Sequence, residues 1–194
     1  MAKNEKAVSA TKIVTGKCRA SYVHLNAPAK IGDDGKLKYS VSVIIPKSDT
    51  VTLNRVNAAI QAAYAEGEGK LKGNGKTVPP LATLKTPLRD GDAERPDDPT
   101  YENAYFLNAN SVARPIIVDR NRQEILDPDE IYSGMYARFS LGFYAFNSNG
   151  NRGIACGLNN VQKLADGEPL SGRSSPDEDF GDDYVDDVAE DFLG

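Results

Sequence analysis

A chain of 194 residues suits one domain of ordinary size with appendages, and no run in it approaches the roughly eighteen apolar residues of a membrane span. Two cysteines, Cys18 and Cys156, and a single histidine, His24, exclude a disulfide framework and leave the common zinc and triad chemistries short of parts. The formal charge of −5 averages two unlike segments: nine acids and no Lys or Arg lie between Asp177 and Asp191, whereas residues 1–176 carry 23 basic against 19 acidic side chains, a net of +4. Residues 1–90 alone hold fifteen Lys or Arg against seven acids. A basic body with an acidic tail is the pattern that a function must explain. Met1-Ala2-Lys3-Asn4-Glu5-Lys6 leads into no signal-type apolar stretch, so a cytoplasmic protein is expected.

Residues 1–10 are small and polar and read as a flexible arm. From Thr11 to Leu25 β-branched and aromatic residues without proline predict a long strand, with Gly16 as a candidate bulge. After the turn residues Gly32-Asp33-Asp34-Gly35, the apolar set Leu37, Tyr39, Val41, Val43 and Ile45 alternates with Lys36, Lys38, Ser40 and Ser42, the period of a half-buried strand that Pro46 ends. The period then changes: Leu53, Val56, Ile60 and Ala63 or Tyr64 recur at helical spacing, with Asp49 or Thr50 to cap the start and Gly67 to close the end. Between Glu66 and Thr100 glycine, proline and charge dominate, which predicts a long irregular connection of the kind that is usually functional or mobile. Strand patterns return at Tyr105 to Ser111, Pro115 to Asp119, Met135 to Phe146 and Gly153 to Leu164, the last two joined through an Asn-Gly hairpin. The result is a mainly β protein, an OB-fold-like antiparallel barrel with one helix between strands 2 and 3. The domain is expected over residues 11–172 and a disordered acidic tail over 173–194.

Met135, Ala137, Phe139, Leu141, Phe143 and Ala145 form one apolar face, which turns Tyr136, Arg138, Ser140, Gly142 and Tyr144 outward. By the same alternation Lys36 and Lys38 lie outside, Lys17 and Arg19 share a face, and Phe106 adds a ring if its strand turns it outward with Asn108 and Asn110. Rings beside cations on an exposed sheet are what nonspecific single-strand binding needs, because every base has a π-face and every nucleotide a phosphate. The candidate contacts are therefore Lys17, Arg19, Lys36, Lys38, Phe106, Tyr136, Arg138 and Tyr144. The tail interleaves Phe180, Tyr184 and Phe192 with its carboxylates, so it can mimic a nucleic-acid strand and compete for the same groove. Asp186, Asp187, Glu190, Asp191 and Phe192 are its candidate contacts with partner proteins.

Other chemistries fit less well, and no cofactor is expected. Gly75-Lys76-Thr77 resembles the end of a phosphate-binding loop, but Lys70 stands where the first glycine belongs and the segment follows a helix. Asp90, Asp92, Glu94, Asp97 and Asp98 could hold the metals of a nuclease, yet they sit in a loop with no strand-borne acid converging on them. A single-stranded RNA binder and a structural or scaffolding protein remain as alternatives to a DNA binder.

The joint occurrence of Pro87-Leu88-Arg89-Asp90-Gly91-Asp92, Arg95-Pro96-Asp97-Asp98-Pro99, Tyr105-Phe106-Leu107-Asn108-Ala109 and the stretch from Tyr132-Ser133-Gly134 to Gly157-Leu158-Asn159-Asn160-Val161-Gln162 resembles a family of phage single-stranded-DNA-binding proteins. The likeness runs from Thr11 to about Gly172. It implies an OB-fold protein that coats single strands in phage DNA replication, and with the residue patterns above the expectation is a replication or recombination protein that is not an enzyme. In arrangement the chain is also similar to the acidic-tailed single-strand-binding proteins of short-tailed phages, whose tails recruit phage or host replication proteins. It departs from them in placing Leu193 and Gly194 after the last aromatic, Phe192.

Overall fold

The computed structural model describes residues 9–32 and 34–170. Strands β1 (Lys12–Val14), β2 (Cys18–Lys30) and β3 (Leu37–Pro46) are followed by helices α1 (Thr50–Glu66) and α2 (Glu68–Lys72). Then come β4 (Arg89–Asp90), α3 (Gly91–Glu94), β5 (Ala104–Ser111), β6 (Ile116–Val118), β7 (Tyr136–Ser148) and β8 (Asn151–Ala165). Five of the strands close a ring in the order β7, β2, β3, β5, β8 and back to β7. Every junction is antiparallel except β5 to β8, which meet in parallel at Asn110 and Gly157. This is the expected OB-type barrel, with β1, β4 and β6 added at its margins.

Alternation builds the interior. Ala137, Phe139, Leu141, Phe143 and Ala145 of β7 point inward and meet Val41, Val43 and Ile45 of β3, Leu107 and Ala109 of β5, and Ile154, Cys156 and Leu158 of β8. Helix α1 packs along β7 and β1, burying Leu53, Val56, Ala59, Ile60 and Ala63. The Asp49 carboxylate caps it by accepting the Thr52 N–H, and Gly67 closes it through its own N–H to the Ala63 carbonyl, both at the positions the sequence marks. Asn149 and Gly150 form a two-residue loop between β7 and β8 with φ of 51° and 86°, the two positive values a type I′ turn requires.

The first strand departs from expectation in two ways. It breaks at residues 15–17 instead of bulging at Gly16, because the start of α1 presses there: the Gly16 N–H donates to Thr52 Oγ1 at 2.9 Å, and a Cβ on Gly16 would lie 2.8 Å from Asp49 Oδ2. The bulge falls later, between Ser21 and His24, where the register against β3 shifts and Tyr22 takes a φ of +46°. One extra residue reverses the faces of a strand. Cys18 and Ala20 are therefore buried on even numbers and Leu25 on an odd one.

The long connection between α1 and β5 is also more ordered than its composition suggests. It contains α2, β4, α3 and short 3-10 turns at Leu81–Thr83 and Pro99–Tyr101, the second capped by Asp98. Its middle lies against β8, where Lys85 bridges to Gly153 and the Ile154 N–H donates to the Lys85 carbonyl at 2.8 Å.

Candidate nucleic-acid interface

Cross-strand register places a single row of side chains over five strands: Tyr136 on β7, Arg19 on β2, Ile44 on β3, Phe106 on β5 and Arg89 on β4. Residues directly opposite in neighbouring strands share a face, and this row is on the outside. Ser21, Ser42 and Asn108 make the next row on the same three central strands. The second and third strands of an OB barrel, here β3 and β5, are the face that such folds offer to oligonucleotides.

The row's aromatic end holds three of the expected contacts. Lys17 Nζ lies 4.8 Å from the centroid of the Tyr136 ring, and the Arg19 guanidinium carbon lies 5.6 Å from it. Arg19 is held by carbonyls: its Nη2 donates to Glu168 O at 2.8 Å and its Nε to Gly134 O at 3.3 Å. Lys17 is exposed and has no such anchor, so its ammonium can leave the ring for a phosphate. Beside them opens a groove of about 290 Å³, with Ile44, Pro46 and Ala104 as its apolar part and Thr100, Glu102 and Asn103 as polar lining. An apolar floor, a ring and two cations match the surfaces of a nucleotide.

The other expected contacts spread outward from this point. Arg138 is exposed at the next outward position of β7 and donates through Nε to Thr15 O at 3.2 Å. Tyr144, 48% exposed, lies eight residues from Tyr136 along the same strand, a distance of roughly 27 Å at about 3.4 Å per residue. Its ring comes close to Gly157, where β5 meets β8. Lys36 and Lys38 stand at the tip of the β2–β3 hairpin, Lys38 facing Asp34 at 3.7 Å, and they do not join the Tyr136 cluster. The tail residues Asp186, Asp187, Glu190, Asp191 and Phe192 lie outside the described residues.

Phe106 needs a correction. It does point outward with Asn108 and Asn110, but it is only 2% exposed and offers no free ring. The segment before β5 folds over it: Tyr101 meets it edge to face at 5.0 Å, and Arg95 lies over both rings at 5.3 and 4.9 Å. The Tyr101 hydroxyl donates to Ser42, which buries that serine as well. These residues with Ile44 and Ala104 form a second small core on the outside of the barrel.

Residue-by-residue alternation misses two members of this face. Tyr22, on the β2 bulge, is 55% exposed, and Arg95 covers it at 5.3 Å while donating from Nη1 to its hydroxyl at 3.4 Å. The parity change between Ala20 and Leu25 is the sequence signal that would have located Tyr22. No local signal marks Arg95, whose partners come from β2, β5 and the turn at Tyr101.

Four of the loop carboxylates have structural partners: Glu94 pairs with Arg89 at 3.4 Å, Asp98 caps the turn at Pro99–Tyr101, and Asp90 and Asp92 share Lys47. Lys47 bridges Asp92 at 2.6 Å and Asp90 at 2.9 Å and lies over the Tyr105 ring at 5.1 Å. The hydrogen bonds that the Lys47 ammonium donates to Asp92 and Asp90 hold it above its ordinary range. Lys47 in turn holds both carboxyls below theirs, helped at Asp92 by the Asn103 N–H and at Asp90 by the Asp92 N–H. Among the described residues no three His, Cys, Asp or Glu side chains are grouped as metal ligands, and no helix is long and apolar enough to cross a membrane.

Known structures share this fold. The single-stranded DNA-binding protein from bacteriophage Enc34 in complex with ssDNA matches with a TM-score of 0.70 and 24% identity, over 85% of this chain and 96% of that one. A C-terminal truncation of the same Enc34 protein gives 0.67 at 24% identity, over 88% and 99%. Gp2.5, a single-stranded DNA binding protein encoded by bacteriophage T7, gives 0.59 at 14% identity, over 90% and 99%. In sequence, the chain is 29% identical over 168 residues to putative protein p50 of Acyrthosiphon pisum secondary endosymbiont phage 1, covering 83% of this chain and 87% of p50. The family described as Enterobacter phage Enc34, ssDNA-binding protein, matches residues 11–193, and the chain belongs to it.

Proposed function

We propose that this protein binds single-stranded DNA without sequence preference in phage DNA replication or recombination, in the cytoplasm of the host, and catalyses no reaction. The observation that carries the reading is the Tyr136 ring flanked by Lys17 and Arg19 beside a groove on the outer face of the barrel. Membership of the Enc34 family supports it. The groove joins a ring, two cations and an apolar floor to a polar lining of Thr100, Glu102 and Asn103, and the first three favour stacking and phosphate neutralisation, interactions that every nucleotide offers. Arg138 and Tyr144 on β7 and Lys36 and Lys38 on the hairpin extend the track for longer strands.

The acidic tail competes for this groove when DNA is absent and is released to replication partners through Asp186, Asp187, Glu190, Asp191 and Phe192 when DNA arrives. Its nine acids between Asp177 and Asp191, interleaved with rings, carry that part of the reading. The deciding experiment titrates the full chain against single-stranded DNA, duplex DNA and RNA across a salt series. Tightest binding to single-stranded DNA, weakening with salt, is expected. Preference for RNA, or no binding to any of the three at low salt, overturns the reading.

A further inference from the structure

Tyr22 occupies a backbone conformation that its side chain does not favour. A φ of +46° suits glycine, asparagine or aspartate, and a bulky aromatic residue adopts it only at an energetic cost that the rest of the fold must offset. Burial of the ring does not supply the offset, since the residue stays 55% exposed. The ring is nevertheless held in place. The Arg95 guanidinium carbon lies 5.3 Å from its centroid and Nη1 is 3.4 Å from its hydroxyl. The same guanidinium is anchored on the far side by Tyr101 and Phe106. Arg95 makes no close ion pair among the described residues, although it shares a cavity with Asp92, Asp97, Asp98 and Glu102. Strain, an exposed ring and a guanidinium outside any close ion pair among the described residues thus meet at one point of the barrel's outer face, three residues along β2 from Arg19 and roughly 10 Å from it at about 3.3 Å per residue.

The geometry points to a second base-stacking station here: an unpaired nucleobase stacks on the open side of the Tyr22 ring, backed by the Arg95 guanidinium. The inference rests on the single-strand reading above and adds a site to it. The surroundings also set the ligand's direction. Arg95 lines a cavity of about 400 Å³ in which four carboxylates, Asp92, Asp97, Asp98 and Glu102, outnumber it and disfavour phosphate, whereas the groove at Lys17 and Arg19 holds two cations against Glu102 alone. The nucleotide therefore presents its uncharged base to Tyr22 and turns its phosphate toward Arg19 and Lys17. A base inside a duplex has both faces occupied and cannot use the station, so the site selects for unpaired strands.

The chain contains no tryptophan, which makes the test clean. In full-length Tyr22→Trp the new indole is the sole tryptophan, and its emission is quenched when a base stacks on it. Binding of a labelled oligothymidylate is followed by anisotropy in the same titration. Quenching that saturates along the anisotropy curve is expected. Anisotropy that rises while tryptophan emission stays constant overturns the station but leaves the single-strand reading intact, whereas wild type that fails to bind the oligonucleotide removes both. Tyr22→Asn supplies the second arm, because asparagine suits the left-handed backbone and has no ring. It should weaken binding by about 5- to 150-fold, the range for losing one stacked base, while its melting temperature holds or rises. A lowered melting temperature with unchanged affinity assigns Tyr22 a purely structural role and overturns the inference.

Discussion

Burial decides the chemistry of the two thiols. Cys18 and Cys156 are each nearly inaccessible, and burial pushes the Cys18 thiol up to about 12 and raises that of Cys156 as well. Only the thiolate attacks thiol reagents, so neither cysteine should react with an aromatic disulfide at pH 8 until the protein is unfolded. Two thiols per chain released promptly under native conditions, measured by absorbance, would contradict this. Tyr136, half-buried on the outer face, is governed by its surface instead. Replacing it with Ala removes a ring that the barrel does not need for its core, and single-strand affinity should fall by about 1 to 3 kcal/mol with the far-ultraviolet spectrum unchanged. Loss of the spectrum at ordinary temperature would place Tyr136 among the structural residues. The same scale shows why sequence placed some side chains well and others poorly. Alternation along β7 needs only neighbours in the chain, so Tyr136, Arg138 and Tyr144 are legible as outward residues. Phe106 obeys the same alternation, but whether an outward ring is free depends on Tyr101 and Arg95, which no local pattern places above it.

Among the elements, the segment from β4 to β5 is held down by charge. Asp90 and Asp92 are carboxyls whose folded values lie below their ordinary value of about 3.9, with the Lys47 hydrogen bond as the main cause. Such groups contribute stability that is fully present above the ordinary value and lost as pH falls through the lowered one. Lys47 is raised, so its share is present below its ordinary value near 10.4 and lost only as pH climbs beyond the raised one. Neither window reaches neutrality. The Asn103 amide, which donates to Asp92 Oδ1 at 2.9 Å, should therefore keep its resonance through neutral pH and shift only in acid below about pH 4. A shift near pH 6 would mean that another group controls the clamp. A second test concerns the connector on β8. A Cβ at Gly153 would lie 2.3 Å from the Lys85 carbonyl oxygen, which is backbone and cannot yield. Gly153→Ala should cost about 1 to 3 kcal/mol of stability, as overpacking does, measured by denaturant melting. Helix α1 and the Asn149-Gly150 hairpin were readable because capping and turn chemistry are local. The order within residues 78–101 was not, because it comes from contacts with β8, β3 and β5 that only the closed barrel provides.

For the molecule as a whole, charge separates into a basic body and an acidic tail, and salt is the way to read it. Each cation that neutralises a phosphate contributes about 0.7 to the log-log salt slope on a single strand. Lys17→Ala should lower the slope by about that amount, and an unchanged slope would show that Lys17 never meets the backbone. Cutting the chain after Ser175 removes all nine tail acids, and single-strand affinity at low salt should rise; equal affinities would end the idea of competition. The place where the barrel hands over to the tail gives that idea a quantitative form. Arg19, beside the Tyr136 ring, donates to the Glu168 carbonyl, and the Leu170 N–H donates to Ser133 O, so the last described residues are fixed at the edge of the groove. Under the proposed competition, a tail tethered there would meet the groove at an effective concentration on the order of millimolar. Such competition in cis would be independent of how dilute the protein is, and a free peptide of the tail's sequence would have to approach that concentration to reproduce it. Inhibition that instead faded on dilution would mean that tails act between molecules.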